Sequence, residues 1–180
     1  MVLIRKEEKE DEQAITGLLK IAFADHPHSQ QTEHLIQQTE HLIVQELRKA
    51  NALTLAYVAV SDDGKVIGYI AFSPVEIGDY SQNWYGLGPI AVLPEEQHKG
   101  VGSELMKHGL QALEALGAKG CVLVGDPEYY GRFGFSSYAG LEVENIPQEY
   151  VLACAWNDKV VAGEVLFHKA FSVNASNDVK

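Results

Sequence analysis

Residues 87–106 constrain the fold of this chain more than any other segment. An apolar run, Leu87-Gly-Pro-Ile-Ala-Val-Leu93, passes through a polar loop containing Gly100 and Gly102 into a helical pattern. Leu105, Met106, Leu110, Leu113 and Leu116 recur at helix spacing, and Gly117 supplies a left-handed C-terminal residue. Residues 121–124, Cys-Val-Leu-Val, then read as a short buried strand. Strand, helix and strand in that order predict a parallel pair joined by a crossover helix. Gly100 and Gly102 leave main-chain N–H groups uncovered at the helix start. Those groups and the helix dipole make an anion site that suits a pyrophosphate. Neither a Walker-type phosphate loop nor a dinucleotide fingerprint fits the spacing, and a glycine pair before a helix can also be a plain tight turn.

Pro89 adds a second constraint. Proline has no N–H for a sheet ladder, so inside an apolar strand it marks a bulge, a lapse in pairing or an edge. A lapse there would expose main-chain groups of Ile90, Ala91 and Val92. An extended ligand could occupy the vacant ladder as a peptide adds to a sheet edge.

The rest of the chain surrounds this unit. Residues 2–5 read as a first strand. Ile15, Leu18, Leu19, Ala22 and Phe23 then follow helix spacing, and Pro27 breaks it. The seven residues Gln30-Gln-Thr-Glu-His-Leu-Ile36 recur unchanged as Gln37-Gln-Thr-Glu-His-Leu-Ile43. Seven residues are nearly two helical turns, so the duplication would lengthen a helix by about 10 Å while its apolar stripe drifts only about 20°. A neutral expansion, a lid and a contact surface all remain open for it. Leu55, Tyr57, Val58 and Val60 alternate as a strand, Asp62-Asp-Gly-Lys65 reads as a hairpin turn, and 66–72 returns as a strand. Residues 84–92 form another strand, a turn or helix starts at Pro127, and 151–156 and 164–168 are late strands. The 180 residues suit one α/β domain, 1–180, with a mixed sheet and helices on both faces.

Fourteen basic and twenty-five acidic residues give a formal charge of −11. That excess repels nucleic acid and attracts a cation such as an amine, although acidity also serves solubility. No run of about 18 apolar residues would span a membrane, and the N-terminus lacks the pattern of a signal peptide. Cys121 and Cys154 both sit in apolar runs, so two reduced thiols and a cytoplasmic location are expected. His26, His28, His34 and His41 have no cysteine or carboxylate set beside them, and no metal site is expected.

Gln97-His-Lys-Gly-Val-Gly102, placed between strand and helix, resembles the Gln/Arg-x-x-Gly-x-Gly/Ala signature of the GNAT acetyltransferases. Gly125-Asp-Pro-Glu-Tyr-Tyr-Gly-Arg-Phe-Gly-Phe135 is similar to that family's later segment, with a tyrosine four residues before Gly-Phe. With Gly163-Glu-Val-Leu-Phe-His-Lys-Ala-Phe171, the likeness covers nearly the whole chain and extends to the YhbS-type members. The resemblance implies a mostly antiparallel sheet with a splayed central parallel pair, and acetyl-CoA as co-substrate. It implies that Ile90, Ala91 and Val92 pair with the pantetheine arm. Gln97 belongs to the signature, and amides of His98, Lys99, Gly100, Val101, Gly102 and Ser103 hold the pyrophosphate. Asp126, Tyr129 and Phe133 would flank the cofactor, and Tyr130 would point at the thioester sulfur. Many relatives have asparagine where this chain has Asp126. A glutamate base used by protein-lysine acetyltransferases corresponds here to Gly86.

The chemistry that follows is direct attack by an amine. An alkylamine has a pKa near about 10, so it must lose a proton before attacking. An amide of Ile90 or Val92 would hold the oxyanion, and Tyr130 would protonate the departing thiolate. Packing against Phe133 and Phe135 is the alternative role for Tyr130. Glu76, Tyr85 and Glu128 are equal candidates for the base. The acceptor is expected to be a small-molecule or protein amine, and a homodimer would suit the family. A domain that binds acyl-CoA without turnover, as a sensor or interaction module, is the alternative function.

Overall fold

The computed structural model describes residues 2–24, 39–78, 82–156 and 159–172. Among them lie strands β1 (Leu3–Lys6), β2 (Leu55–Val60), β3 (Val66–Ile77), β4 (Trp84–Val92) and β5 (Gly120–Val124). Later come β6 (Ser136–Ser137), β7 (Leu141–Glu142), β8 (Val151–Ala155) and β9 (Gly163–Phe167). The helices are α1 (Glu12–Ala22), α2 (Glu40–Lys49), α3 (Val101–Ala115) and the single-turn α4 (Pro127–Tyr130). No helix among the described residues is long and apolar enough to cross a membrane.

The sheet runs β1-β2-β3-β4-β5-β8-β6, with β9 pairing both β3 and β7. Among the described strands, only β4–β5 and β7–β9 are parallel. This is the mixed, mostly antiparallel sheet expected from the sequence, with the crossover helix α3 joining the central parallel pair. β3 extends past Phe72 to Ile77 because β4 and then β9 take up its main chain, even at Pro74. The late strands β8 and β9 follow one another in sequence but pair elsewhere, β8 with β5 and β6, β9 with β3 and β7.

Helices cover both faces. On one, α3 lies so close that a Cβ on Gly109 would stand 2.5 Å from the Phe72 ring, and one on Gly68 would stand 2.9 Å from Leu105. On the other, Tyr69 points the opposite way from Gly68 and meets Glu7 and Arg48. Ile15, Leu18 and Leu19 recur at three- and one-residue steps on α1 and are all buried. Burying each is worth about 1.5–3 kcal/mol.

A polar cluster joins β1, α1, α2 and β3 on that second face. Tyr69 Oη donates to Glu7 Oε1 at 3.0 Å, and Arg48 Nη2 donates to the same oxygen at 3.0 Å. Arg48 Nε also lies 3.4 Å from Glu12 Oε1. Replacing Arg48 with methionine keeps the stem but leaves the partly buried Glu7 carboxylate short of its cation. The expected loss is about 1.5–3 kcal/mol, the range for hydrogen bonds to charged groups, read as a lower urea midpoint with an unchanged slope.

Cys121 and Cys154, distant in sequence, face one another across β5 and β8. Both are free and buried. Burial pushes Cys121 well above the ordinary thiol range and Cys154 up to about 12, so neither is an activated thiolate. Of the duplicated heptad, the first copy, with His34, lies outside the described residues, as do His26 and His28. The second copy runs into α2, where Leu42 and Ile43 are buried. Among the described residues no three His, Cys, Asp or Glu side chains gather as a metal site.

Candidate active site

Pro89 sits at an interruption in the ladder. Ile70 of β3 lies opposite Ile90, but Phe72 lies opposite Leu87, so two residues of β4 stand against one of β3. That is a bulge, which bends the strand that carries it. On its other side β4 pairs with β5 only through Trp84, Tyr85 and Gly86. β5 continues through Leu123 and Val124 against β8 alone. The central parallel pair therefore parts after Gly86, and 87–92 have no strand partner on the β5 side among the described residues.

The loop after β4 is held back on the strand that leads into it. Gln97 Nε2 donates to the Val92 carbonyl at 3.1 Å. His98 (φ 64°) and Gly100 (φ 90°) both take left-handed conformations, turning the chain sharply into α3. Such a φ is uncommon for a side-chain-bearing residue like His98 and unhindered for Gly100. Val101 is buried, whereas Gly102 and Ser103 are half-buried at the first turn of α3. Among the described residues no side chain caps that turn, which leaves its first N–H groups without a capping acceptor, the arrangement that favours an anion. Lys99 is exposed and pairs with Glu96 at 3.4 Å.

α4 bridges the mouth of the opening between the end of β5 and the start of α3. A Cβ on Gly125 would stand 2.5 Å from the Tyr130 ring, and one on Gly102 would stand 2.9 Å from the Tyr129 hydroxyl oxygen. These small residues leave room for Tyr130 at the end of β5 and for Tyr129 at the start of α3. Tyr129 and Tyr130 meet edge to face at 4.9 Å, Tyr130 meets Phe135 at 6.2 Å, and Tyr129 meets Phe133 at 5.6 Å. Burial first, then the nearby Tyr129 and Asp126, pushes the Tyr130 hydroxyl up to about 12. It is therefore a protonated donor throughout the ordinary pH range. Asp126 is exposed, and its Oδ1 accepts from the Glu128 N–H at 2.9 Å, capping α4.

The residues singled out from the sequence thus surround one wedge: Ile90 and Val92 on its open edge, with Ala91 between them turned to Tyr69 of β3, 97–103 at one end, and Tyr129, Tyr130 and Phe133 near its mouth. Asp126 serves as a helix cap beside them. The three candidate bases do not converge on it. Glu76 alternates with the buried Val75 and Ile77, and Tyr85 points with Leu87, so both leave the face that Gly86 presents; Glu128 is exposed on α4.

Two features had no clear signal in the sequence. Arg132 lays its guanidinium 4.6 Å over the Tyr129 ring and 5.3 Å from Phe133, and its Nε donates to the Tyr129 carbonyl at 3.3 Å. Its place three residues after Tyr129 in a helical turn makes the contact intelligible afterwards. On the face away from α3, a Cβ on Gly86 would stand 2.9 Å from both the Phe167 ring and Val75. The room a strand glutamate would need is filled by an aromatic ring. Beside it Ser73, opposite Gly86, is fully buried with no hydrogen-bond partner for Oγ among the described residues.

Residues 15–135 match the model of the acetyltransferase (GNAT) family. The chain is 34% identical over 155 residues to the uncharacterized N-acetyltransferase YhbS of Escherichia coli K12, covering 86% of this chain and 80% of that protein. It superposes on a GNAT family acetyltransferase from Brucella melitensis, crystallised with acetyl-CoA, with TM-score 0.81 and 41% identity. That match covers 95% of this chain and 98% of the other. The crystal structure of E. coli YhbS with CoA matches at TM-score 0.83 and 31% identity, covering 96% and 92%. The parted β4–β5 pair, the glycine loop and these likenesses lead to one statement: the chain belongs to the GNAT family of acetyltransferases.

Proposed function

We propose that this protein, as a single domain over residues 1–180, transfers the acetyl group of acetyl-CoA to an amine by direct attack on the thioester. The observation that carries the reading is the edge 87–92, left without a described strand partner on the β5 side and leading into the uncapped start of α3, with Tyr130 packed on Gly125 at the end of β5. Acetyl-CoA is an extended chain with amides in its pantetheine arm and a pyrophosphate beyond. The edge offers ladder groups to the first and the helix start offers N–H donors to the second. The acetyl-CoA and CoA bound in the two solved relatives support the same assignment.

In this reading the main chain of Ile90 and Val92, on either side of Ala91, orients the pantetheine, and residues 98–103 hold the pyrophosphate, with Gln97 fixing their loop to β4. Arg132, stacked on Tyr129 beside Gly102, adds a positive charge near the phosphates. The amine gives one proton to solvent and attacks as a neutral nucleophile. Its nitrogen bonds to the carbonyl carbon, and an amide of Ile90 or Val92 receives the oxyanion. The C–S bond then breaks, Tyr130 Oη protonates the sulfur, and the proton released by the new amide nitrogen restores Tyr130 through water.

Calorimetric titration with acetyl-CoA, followed by thiol release on adding amines, tests the proposal. Binding is expected within about 1 µM to 1 mM, the usual range of substrate constants. Arg132→Ala is expected to weaken it by about 5- to 10-fold and to flatten its salt dependence, as loss of one charge-assisted phosphate contact would. A protein that does not bind acetyl-CoA rejects the reading. Binding without thiol release would point to the sensor function, which the filled position at Gly86 favours.

A further inference from the structure

From the course of β4 we infer that Phe167 and Phe171 form the acceptor wall, and that the amine taken is carried on an aromatic or similarly flat apolar body; this rests on the acetyltransferase reading above. An amine must reach the thioester from one face of the sheet. The α3 face is shut, because Phe72, opposite Leu87, packs directly beneath Gly109. The other face is the one that Gly86 presents, and β4 is thinned there to Gly86 and Gly88, where it leaves β5.

Phe167 and Phe171 stand over those two glycines. The Phe167 ring lies over Gly86, and a Cβ on Gly88 would be 3.7 Å from the Phe171 ring. The rings contact one another at 5.4 Å with a 45° tilt, and both are only half-buried. They come from two anchored elements. Phe167 ends β9, which is paired to β3. Phe171 lies in the turn Lys169–Ser172, which packs with Ala170 against Ile43 and Leu47 of α2. His168 tightens that turn, its Nδ1 accepting from the Ala170 N–H at 3.0 Å. Two fixed, partly exposed rings beside a glycine-lined opening offer their faces to another flat apolar group. They also attract the ammonium form on its way in. This gives a role to the Gly163–Phe171 segment, which the cofactor site leaves unused.

The test measures acetyl transfer to phenethylamine, to hexylamine and to spermidine, beside calorimetry with acetyl-CoA, for the wild type, Phe167→Ala and Phe167→Leu. The wild type is expected to favour phenethylamine by at least about 10-fold in kcat/KM, the scale on which apolar pockets discriminate. Phe167→Leu, which keeps apolar bulk and guards against a folding defect, should abolish that preference by raising KM for phenethylamine while sparing hexylamine. Phe167→Ala should weaken both, with acetyl-CoA affinity unchanged in each variant. Spermidine favoured by the wild type, no turnover of either apolar amine by protein that binds acetyl-CoA, or equal losses for all three amines in Phe167→Leu overturns the assignment. Failure to bind acetyl-CoA at all would instead reject the acetyltransferase reading beneath it.

Discussion

Gly102→Trp is expected to abolish detectable acetyl-CoA binding while the protein still folds. The backbone at Gly102 is ordinary helix, so a side chain there brings no conformational strain. What it meets is the Tyr129 hydroxyl, 2.9 Å from the Cβ, and Val92 Cγ2 at 3.8 Å. Tyr129 is the far end of a half-buried side chain and can swing outward. An indole would then lie across the first turn of α3 and cover the N–H groups assigned to the pyrophosphate. A loss of at least about 100-fold in affinity, equivalent to about 2.7 kcal/mol, should appear by calorimetry. Gly102→Ala, displacing only the hydroxyl, should give an intermediate loss. A tryptophan variant that melts like the wild type and binds acetyl-CoA equally well would remove the anion site from this loop.

Tyr130→Phe should lower kcat by about 10²- to 10⁴-fold, the range for removal of a positioned general acid, and leave acetyl-CoA affinity within a factor of about two. Phenylalanine keeps the ring against Gly125, Tyr129 and Phe135, so a merely packing tyrosine would leave kcat unchanged. The hydroxyl, pushed up to about 12 by burial and by its neighbours Tyr129 and Asp126, also predicts the pH profile. kcat/KM should rise with pH as the amine loses its proton, and Tyr130 should impose no fall below about pH 10, the ordinary tyrosine value. For stability the sign is opposite to that of a paired carboxylate. The fold favours the neutral phenol, so the contribution is intact below about pH 10 and declines as pH climbs toward about 12.

The central unit was legible in the sequence because each of its parts is enforced locally. Gly100 and Gly102 announce a turn into a helix, Leu105 to Leu113 fix its buried side, and Pro89 cannot support a regular ladder. Those constraints act between near neighbours in the chain. The partners of β9 and β8 were not legible for the opposite reason. Phe167 meets Gly86 across 80 intervening residues, and only the register of β9 on β3 brings them together. Cys121 and Cys154 likewise read as unrelated until β5 and β8 pair. Glu76 and Tyr85, the two candidate bases on strands, point away from the cleft by alternation, since a strand sends neighbouring side chains to opposite faces. Glu76 is one residue from Val75, and that single step sends it away from the cleft.

The bulge at Pro89 has a bearing on how such a protein can change over time. Under the proposed reading, a co-substrate gripped through main-chain groups of Ile90 and Val92 would be insensitive to which apolar side chains those positions carry. Ile90 or Val92 could drift among aliphatic residues with little effect on the grip. The proposed wall of Phe167 and Phe171 is built wholly of side chains, so each substitution there would alter what it admits. One half of the wedge would thus be buffered against mutation and the other exposed to it, a division under which acceptor choice could diversify while the acetyl donor stays the same.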